Sequence, residues 1–286
     1  MPYEINTLAV DGVEIFYRSS GSKDAPVLLL LHGFPSSSHQ YRNLIPLISH
    51  KYRVIAPDYP GFGFTSVPPS RSYVYTFANI ANTISAFLDA LNITKFSMFI
   101  FDYGAPVGLR IALKRPDAIQ AIISQNGNAY EEGLGGPHWA PRREYWATGD
   151  SKLREAIRAK SLTFAATKAQ YTTGTTKTVQ PESYTLDWAL MSTLEKQEIM
   201  LDLLKDYGTN VQLYPEFQKY FRESQVPLLA AWGKNDPSFI PPGAWAFQRD
   251  LPKAEVVLLD AGHFAAESDT EEIAGVMLDF LQRNRL

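Results

Sequence analysis

Three runs, Pro26-Val27-Leu28-Leu29-Leu30-Leu31, Phe96-Ser97-Met98-Phe99-Ile100-Phe101 and Val226-Pro227-Leu228-Leu229-Ala230-Ala231-Trp232, are apolar almost without a break. Strands half exposed to water alternate polar and apolar residues, so continuous runs this short and rich in branched or aromatic residues predict strands covered on both faces. Between and around them lie helical patterns: Phe77, Ile80, Ile84, Phe87, Leu88 and Leu91 share one face, as do Ile273, Val276, Met277, Phe280 and Leu281. Tyr52–Asp58, Ala118–Ser124 and Ala254–Leu259 supply further strands, and Val13–Arg18 follows the turn pair Asp11-Gly12 as one arm of an edge hairpin. Ser36 to Ser49 is helix-compatible, with Pro46 as its weak point. Strands alternating with helices imply an α/β fold, a largely parallel sheet with helices on both faces.

From Gly127 the texture changes. Residues 128–215 lack strong strand runs, carry Gly133-Leu134-Gly135-Gly136-Pro137, and are dense in aromatic residues. This predicts a helical cap inserted after the sixth core strand, with 1–127 and 216–286 forming the core. A chain of 286 residues, 45% hydrophobic and 20% charged, is long enough and apolar enough for such a core. A formal net charge of −3 gives no basic field for nucleic acid or an anionic membrane, which leaves a small molecule as the expected partner. The absence of cysteine removes disulfides, thiolate catalysis and Cys-based zinc sites. No metal or other cofactor is expected. The start of the chain has no basic, apolar and small-residue leader pattern, so the expected location is cytoplasmic. No motif speaks to oligomeric state.

Ligands of parallel sheets bind at the carboxyl ends of strands. Four polar stretches fall there: His32-Gly33-Phe34-Pro35, Asp102-Tyr103-Gly104, Asn235-Asp236-Pro237 and Gly262-His263. Each has a structural reading. Asp102 caps a helix, Asp236 is a turn residue, His263 is a histidine satisfied at a helix start, and His32-Gly33 ends a strand. The functional reading takes them together. Asp102 sits on a sharp strand-to-helix turn where a nucleophile elbow belongs, with Gly104 and Ala105 permitting tight packing and Pro106 tolerated in a first helical turn. Nucleophile, acid, histidine is also the chain order of an α/β-hydrolase triad. The backbone N–H groups of Phe34 and Tyr103 would then form an oxyanion hole.

On these residues nearly the whole chain resembles an α/β-hydrolase with a cap, in the aspartate-nucleophile branch that holds epoxide hydrolases and haloalkane dehalogenases. The resemblance implies Asp102 as nucleophile, Asp236 and His263 as its charge-relay partners, and Phe34 and Tyr103 as oxyanion donors. The chain departs from the pattern at Ile100, two positions before the nucleophile, where the family usually has a small residue.

No G-x-S-x-G occurs, which disfavours esterase chemistry. A carboxylate with an ordinary pKa of about 3.9 is ionised at neutral pH and attacks an electrophilic sp3 carbon without a base. Water activated by His263 would then hydrolyse the aspartyl ester. Dehalogenases of this type typically have tryptophan after the nucleophile and often asparagine after His-Gly, where this chain has Tyr103 and Phe34. The motif His-Gly-Phe-Pro favours epoxide hydrolases, which carry two cap tyrosines that donate a proton to the opening ring. Tyr214 and Tyr145 are the candidates among 15 tyrosines, with Tyr130 and Tyr207 behind them. The expected activity is therefore hydrolysis of a small, mostly apolar epoxide to a vicinal diol. The alternatives are a haloalkane or haloacid dehalogenase and, from another class, a hydrolase-fold small-molecule receptor without turnover.

Overall fold

The continuous apolar runs form the middle of one sheet. The computed structural model describes residues 3–286; Met1 and Pro2, which belong to the expected core segment, lie outside the described residues. Eight strands, β1 (Glu4–Val10), β2 (Val13–Ser20), β3 (Val27–Leu31), β4 (Arg53–Pro57), β5 (Phe96–Phe101), β6 (Ile119–Gln125), β7 (Leu228–Gly233) and β8 (Glu255–Leu259), pair in the order β1-β2-β4-β3-β5-β6-β7-β8. The β1–β2 hairpin and the β2–β4 pair are antiparallel, and every pair from β4 to β8 is parallel. This is the α/β-hydrolase architecture expected from the sequence.

Alternation along the strands explains why two helical layers are needed. Leu29, Leu31, Met98 and Ile100 point to the face covered by Ile80, Ile84, Phe87 and Val107. Leu28, Leu30, Phe99 and Phe101 point to the other, covered by Leu44, Ile48, Met277 and Phe280. The helix-compatible stretch from Ser36 splits into a short 3-10 turn, Ser38–Tyr41, and a helix, Leu44–Ile48. Pro46 falls in that helix's first turn, where its missing N–H costs no hydrogen bond.

The chain from β3 goes to β4 on one side and returns through the Phe77–Ala90 helix to β5 on the other. This reversal opens a crevice at the carboxyl ends of β3 and β5, the position where open α/β sheets bind ligands. Leu31 pairs with Ile100, so the residues after both strands emerge side by side. Between β6 and β7 the chain runs through helices Gly136–Thr148, Ser151–Ser161, Phe164–Thr172, Pro181–Met191, Leu194–Asp206 and Gly208–Gln212. The next helix, Tyr214–Ser224, packs against the core helices Gly104–Lys114 and Pro242–Asp250. Among the described residues no helix is long and apolar enough to cross a membrane.

Candidate active site

Asp102 leaves β5 with φ +48, in the left-handed region that a non-glycine residue occupies at a cost of about 1–2 kcal/mol. The turn holds because β5 on one side and the Gly104–Lys114 helix on the other fix both ends, and because its neighbours lack side chains. A Cβ on Gly33 would lie 2.4 Å from the Asp102 Cβ, and one on Gly104 would lie 2.2 Å from the Leu31 carbonyl oxygen. Ile100, the departure from the family pattern, is accommodated by the same helix. A Cβ on Gly108 would sit 2.8 Å from Ile100 Cγ2, so the space usually gained by a small strand residue is provided here by the helix facing it.

The loops after β7 and β8 bring the acid and the histidine to this turn. His263 Nδ1 is 2.7 Å from Asp236 Oδ2, and its Nε2 is 3.7 Å from Asp102 Oδ2. Asp236 is held in turn by the N–H of Ser238, 2.7 Å from Oδ1, and by Asn126 Nδ2, 2.8 Å from Oδ2. Asn126 also accepts the Gly233 N–H at 2.8 Å, which ties the end of β6 to that of β7. Nothing in the sequence singled out Asn126. Its available signal is an Asn-Gly pair directly after a strand, since asparagine tolerates the left-handed φ of +47 found there.

Burial raises the Asp102 carboxyl to about 6, opposed by His263 and the N–H groups of Phe34 and Tyr103. Burial alone would lower His263, but the Asp236 carboxylate and its hydrogen bond reverse this, Asp102 adds to them, and the imidazole ends above its ordinary value. The rings of Phe101, Phe264 and Phe239 enclose that imidazole at centroid distances of 4.7, 5.3 and 5.8 Å. The Phe34 N–H donates to Asp102 Oδ1 at 2.7 Å, and the Tyr103 N–H also bonds the Asp102 carboxylate. His32, by contrast, is structural. Burial holds it at about 3, and the Tyr59 N–H donates to its Nε2 at 3.1 Å.

Above the carboxylate lies a cavity of about 480 Å³ between sheet and inserted helices. Asp102, His263, Phe34 and Tyr103 line it. Neither expected cap tyrosine does. The Tyr145 hydroxyl accepts from Arg154 at 2.7 Å, within a cluster that includes Glu198 and Asp202. Tyr214 is buried, its hydroxyl accepting from Asn128 at 3.1 Å and paired with Tyr207. Tyr130, a further candidate, donates to Asp250 at 2.9 Å. These phenols are consumed by internal partners. The protic side chains that do face the cavity include Tyr103, His138 and Arg142. Among the described residues the Tyr103 hydroxyl has no hydrogen-bond partner. His138 lies beside Ser238 Oγ at 3.3 Å and is pushed down to about 3, chiefly by burial and then by Arg142, so it is neutral at physiological pH.

Residues 26–270 match the model of the alpha/beta hydrolase fold family. The uncharacterized hydrolase YNR064C of Saccharomyces cerevisiae is 45% identical over 281 residues, covering 96% of this chain and 95% of the yeast protein. A haloalkane dehalogenase of Psychrobacter cryohalolentis is 26% identical over 292 residues, covering 95% of this chain and 88% of its own. The solved haloalkane dehalogenase DbeA from Bradyrhizobium elkani superposes with a TM-score of 0.82 at 22% identity over 99% of both chains, a likeness of fold. An elbow at the crevice of a parallel sheet, an enclosed carboxylate and histidine, and a family match across most of the length converge: this chain belongs to the alpha/beta hydrolase fold family and is a hydrolase related to haloalkane dehalogenases.

Proposed function

We propose that the chain hydrolyses a substrate at an electrophilic sp3 carbon through an ester on Asp102, and that the substrate is an epoxide. The observation that carries the first part is the carboxylate at the elbow. With Oδ1 on the Phe34 N–H, Oδ2 attacks carbon, a C–O bond of the ring breaks, and the alkoxide takes a proton from the cavity side. Water deprotonated by His263 then adds to the ester carbonyl, and the N–H groups of Phe34 and Tyr103 hold the oxyanion that forms on Oδ1. Collapse releases the diol and restores the carboxylate, and the imidazolium gives its proton back to the cavity donor that protonated the alkoxide.

The second part rests on the donors. An epoxide oxygen needs a proton, whereas the dehalogenases that the sequence resembles use an indole N–H beside the nucleophile to hold the leaving halide. Trp139, the one tryptophan among the described residues that lines the cavity, donates its indole N–H to the Ser238 carbonyl at 2.8 Å. Trp146, whose ring packs tilted against it at 5.7 Å, donates to the Leu204 carbonyl at 2.7 Å. Tyr103, kept protonated by burial and by the Asp102 charge, is the proton donor in this reading, with the neutral His138 as a second donor to the same oxygen. The dehalogenase relatives favour a second reading, halide release by the same nucleophile. A paired panel separates them. Diol from styrene oxide with no halide from 1-bromobutane or 1,2-dibromoethane supports the first; halide release with epoxides inert overturns it.

A further inference from the structure

The cavity carries a charge imbalance that neither ring opening nor ester hydrolysis uses. Arg142, on the inserted Gly136–Thr148 helix, and Lys160, on Ser151–Ser161, both line it, and among the described residues Asp102 is the only acid that does. The other arginines of these helices are all paired: Arg143 with Glu131, Arg154 with Glu198 and Asp202, Arg158 with Glu155 and Glu198. Arg142 and Lys160 form no ion pair among the described residues. The half-buried Arg142 guanidinium reaches only the His138 carbonyl and, at 3.3 Å, Ser161 Oγ, and lies over the Trp139 ring at 5.8 Å. Burial lowers it, and the fields of Tyr103 and Asp102 oppose that only in part. A partly buried guanidinium without a counter-charge is costly, and its planar fork of N–H donors matches the bidentate geometry of a carboxylate.

We propose that Arg142, assisted by Lys160, is an anion subsite, and that the substrate is a carboxylic acid whose carboxylate docks on the inserted helices while its electrophilic carbon meets Asp102. This rests on the reading of Asp102 as nucleophile. The same cation offsets the repulsion that a negatively charged substrate would feel on approaching an ionised aspartate. Glycidic acids, with a carboxylate next to the ring, are the simplest members of the class.

Binding and turnover test different parts of this reading. Calorimetric titration of the full chain with phenylacetate and phenylacetamide needs no chemistry. The carboxylate should bind on the order of tenfold tighter or more, as expected for a charge-assisted pair. That preference should vanish in Arg142→Gln, survive largely in Arg142→Lys, and be untouched in Arg143→Gln, whose side chain pairs outside the cavity. Equal affinities in the unmutated chain, no phenylacetate binding at millimolar concentration, or a preference that persists in Arg142→Gln would overturn the subsite. In the second arm, 3-phenylglycidate should be hydrolysed with a higher kcat/KM than its amide. Turnover of both with no preference removes the subsite and leaves the nucleophile intact. Selective carboxylate binding without any ester on Asp102 leaves the subsite and removes the nucleophile.

Discussion

Replacing His263 with alanine should split the reaction at its ester. The imidazole is 3.7 Å from Asp102 Oδ2, too far for a hydrogen bond, and the carboxylate needs no base to attack. In the proposed reaction its role falls in the second step, where general-base assistance contributes on the order of 10²–10⁴ in rate. For an enzyme turning over at about 10 per second, an ester lifetime of about 0.1 s then lengthens to roughly 10–1000 s. Manual quenching followed by intact-protein mass spectrometry reads that interval directly.

The pH of the experiment follows from the same site. Asp102 sits at about 6, and His263 is the first influence opposing the burial that raises it. Its removal moves the carboxyl upward, so the trap belongs at pH 8 or above, where the nucleophile stays ionised. An epoxide adds its whole mass to the chain, because no atom leaves; a haloalkane adds its mass less the hydrogen halide. The adduct therefore identifies the leaving group as well as the intermediate, and peptide mapping should place it on Asp102. An unmodified His263→Ala chain that still consumes substrate would refute the covalent route, as would label from isotopic water appearing only in product after a single wild-type turnover.

The pH profile of kcat/KM, which reports the free enzyme, should rise through about 6 as Asp102 ionises, with activity lost below that value. A profile flat from pH 5 to 8 counts against Asp102 as the attacking group. Tyr103→Phe should lower epoxide kcat/KM by about 10² or more, while Tyr145→Phe and Tyr214→Phe stay within about threefold, because their hydroxyls serve Arg154 and Asn128; the reverse ranking in steady-state assays would return the proton to the inserted tyrosines. Gly108→Ala should destabilise the chain by about 1–3 kcal/mol in denaturant unfolding, since its Cβ meets Ile100 Cγ2, and should cost less in an Ile100→Ala background.

The rim that holds Asp102, Asp236 and His263 was readable because runs such as Leu28–Leu31 and Phe96–Phe101 are short, apolar throughout and rich in branched or aromatic residues, which fits strands covered twice, and their ends then share an edge. Order along the chain did the rest for Asp102, Asp236 and His263, which local loops bring to one point. The inserted helices were legible as helices and not as faces. Tyr145 lies on the Gly136–Thr148 helix that does line the cavity, two turns after His138 on the same side. At a rise of about 1.5 Å per residue those two turns carry it about 10 Å along the axis, to Arg154 instead of Asp102. A helical period reports direction around an axis, and the distance along it that reaches a substrate is set by where the neighbouring helix crosses. Asn126 escaped for a different reason: its partners, Gly233 at the end of β7 and Asp236 in the loop after it, are more than a hundred residues away in sequence.

In the proposed reaction the electrostatics of the site distinguish the two chemical steps. In the free chain the Asp102 carboxylate helps to hold His263 above its ordinary value, and His263 in turn holds Asp102 down. Each charge favours the other, which suits a step that needs an anionic nucleophile and no base. In that reaction, forming the ester would remove the Asp102 charge while leaving Asp236 2.7 Å from Nδ1. One of the influences favouring the imidazolium is then gone, and His263 shifts toward the neutral form that can accept a proton from water. The N–H groups of Phe34 and Tyr103 stay in place as their acceptor changes from carboxylate to ester carbonyl to oxyanion. A serine at the elbow would need a base before the first step as well; in the proposed reaction an aspartate needs the histidine as a base only for hydrolysis, after the substrate's bond to Asp102 has removed one charge that favours the imidazolium.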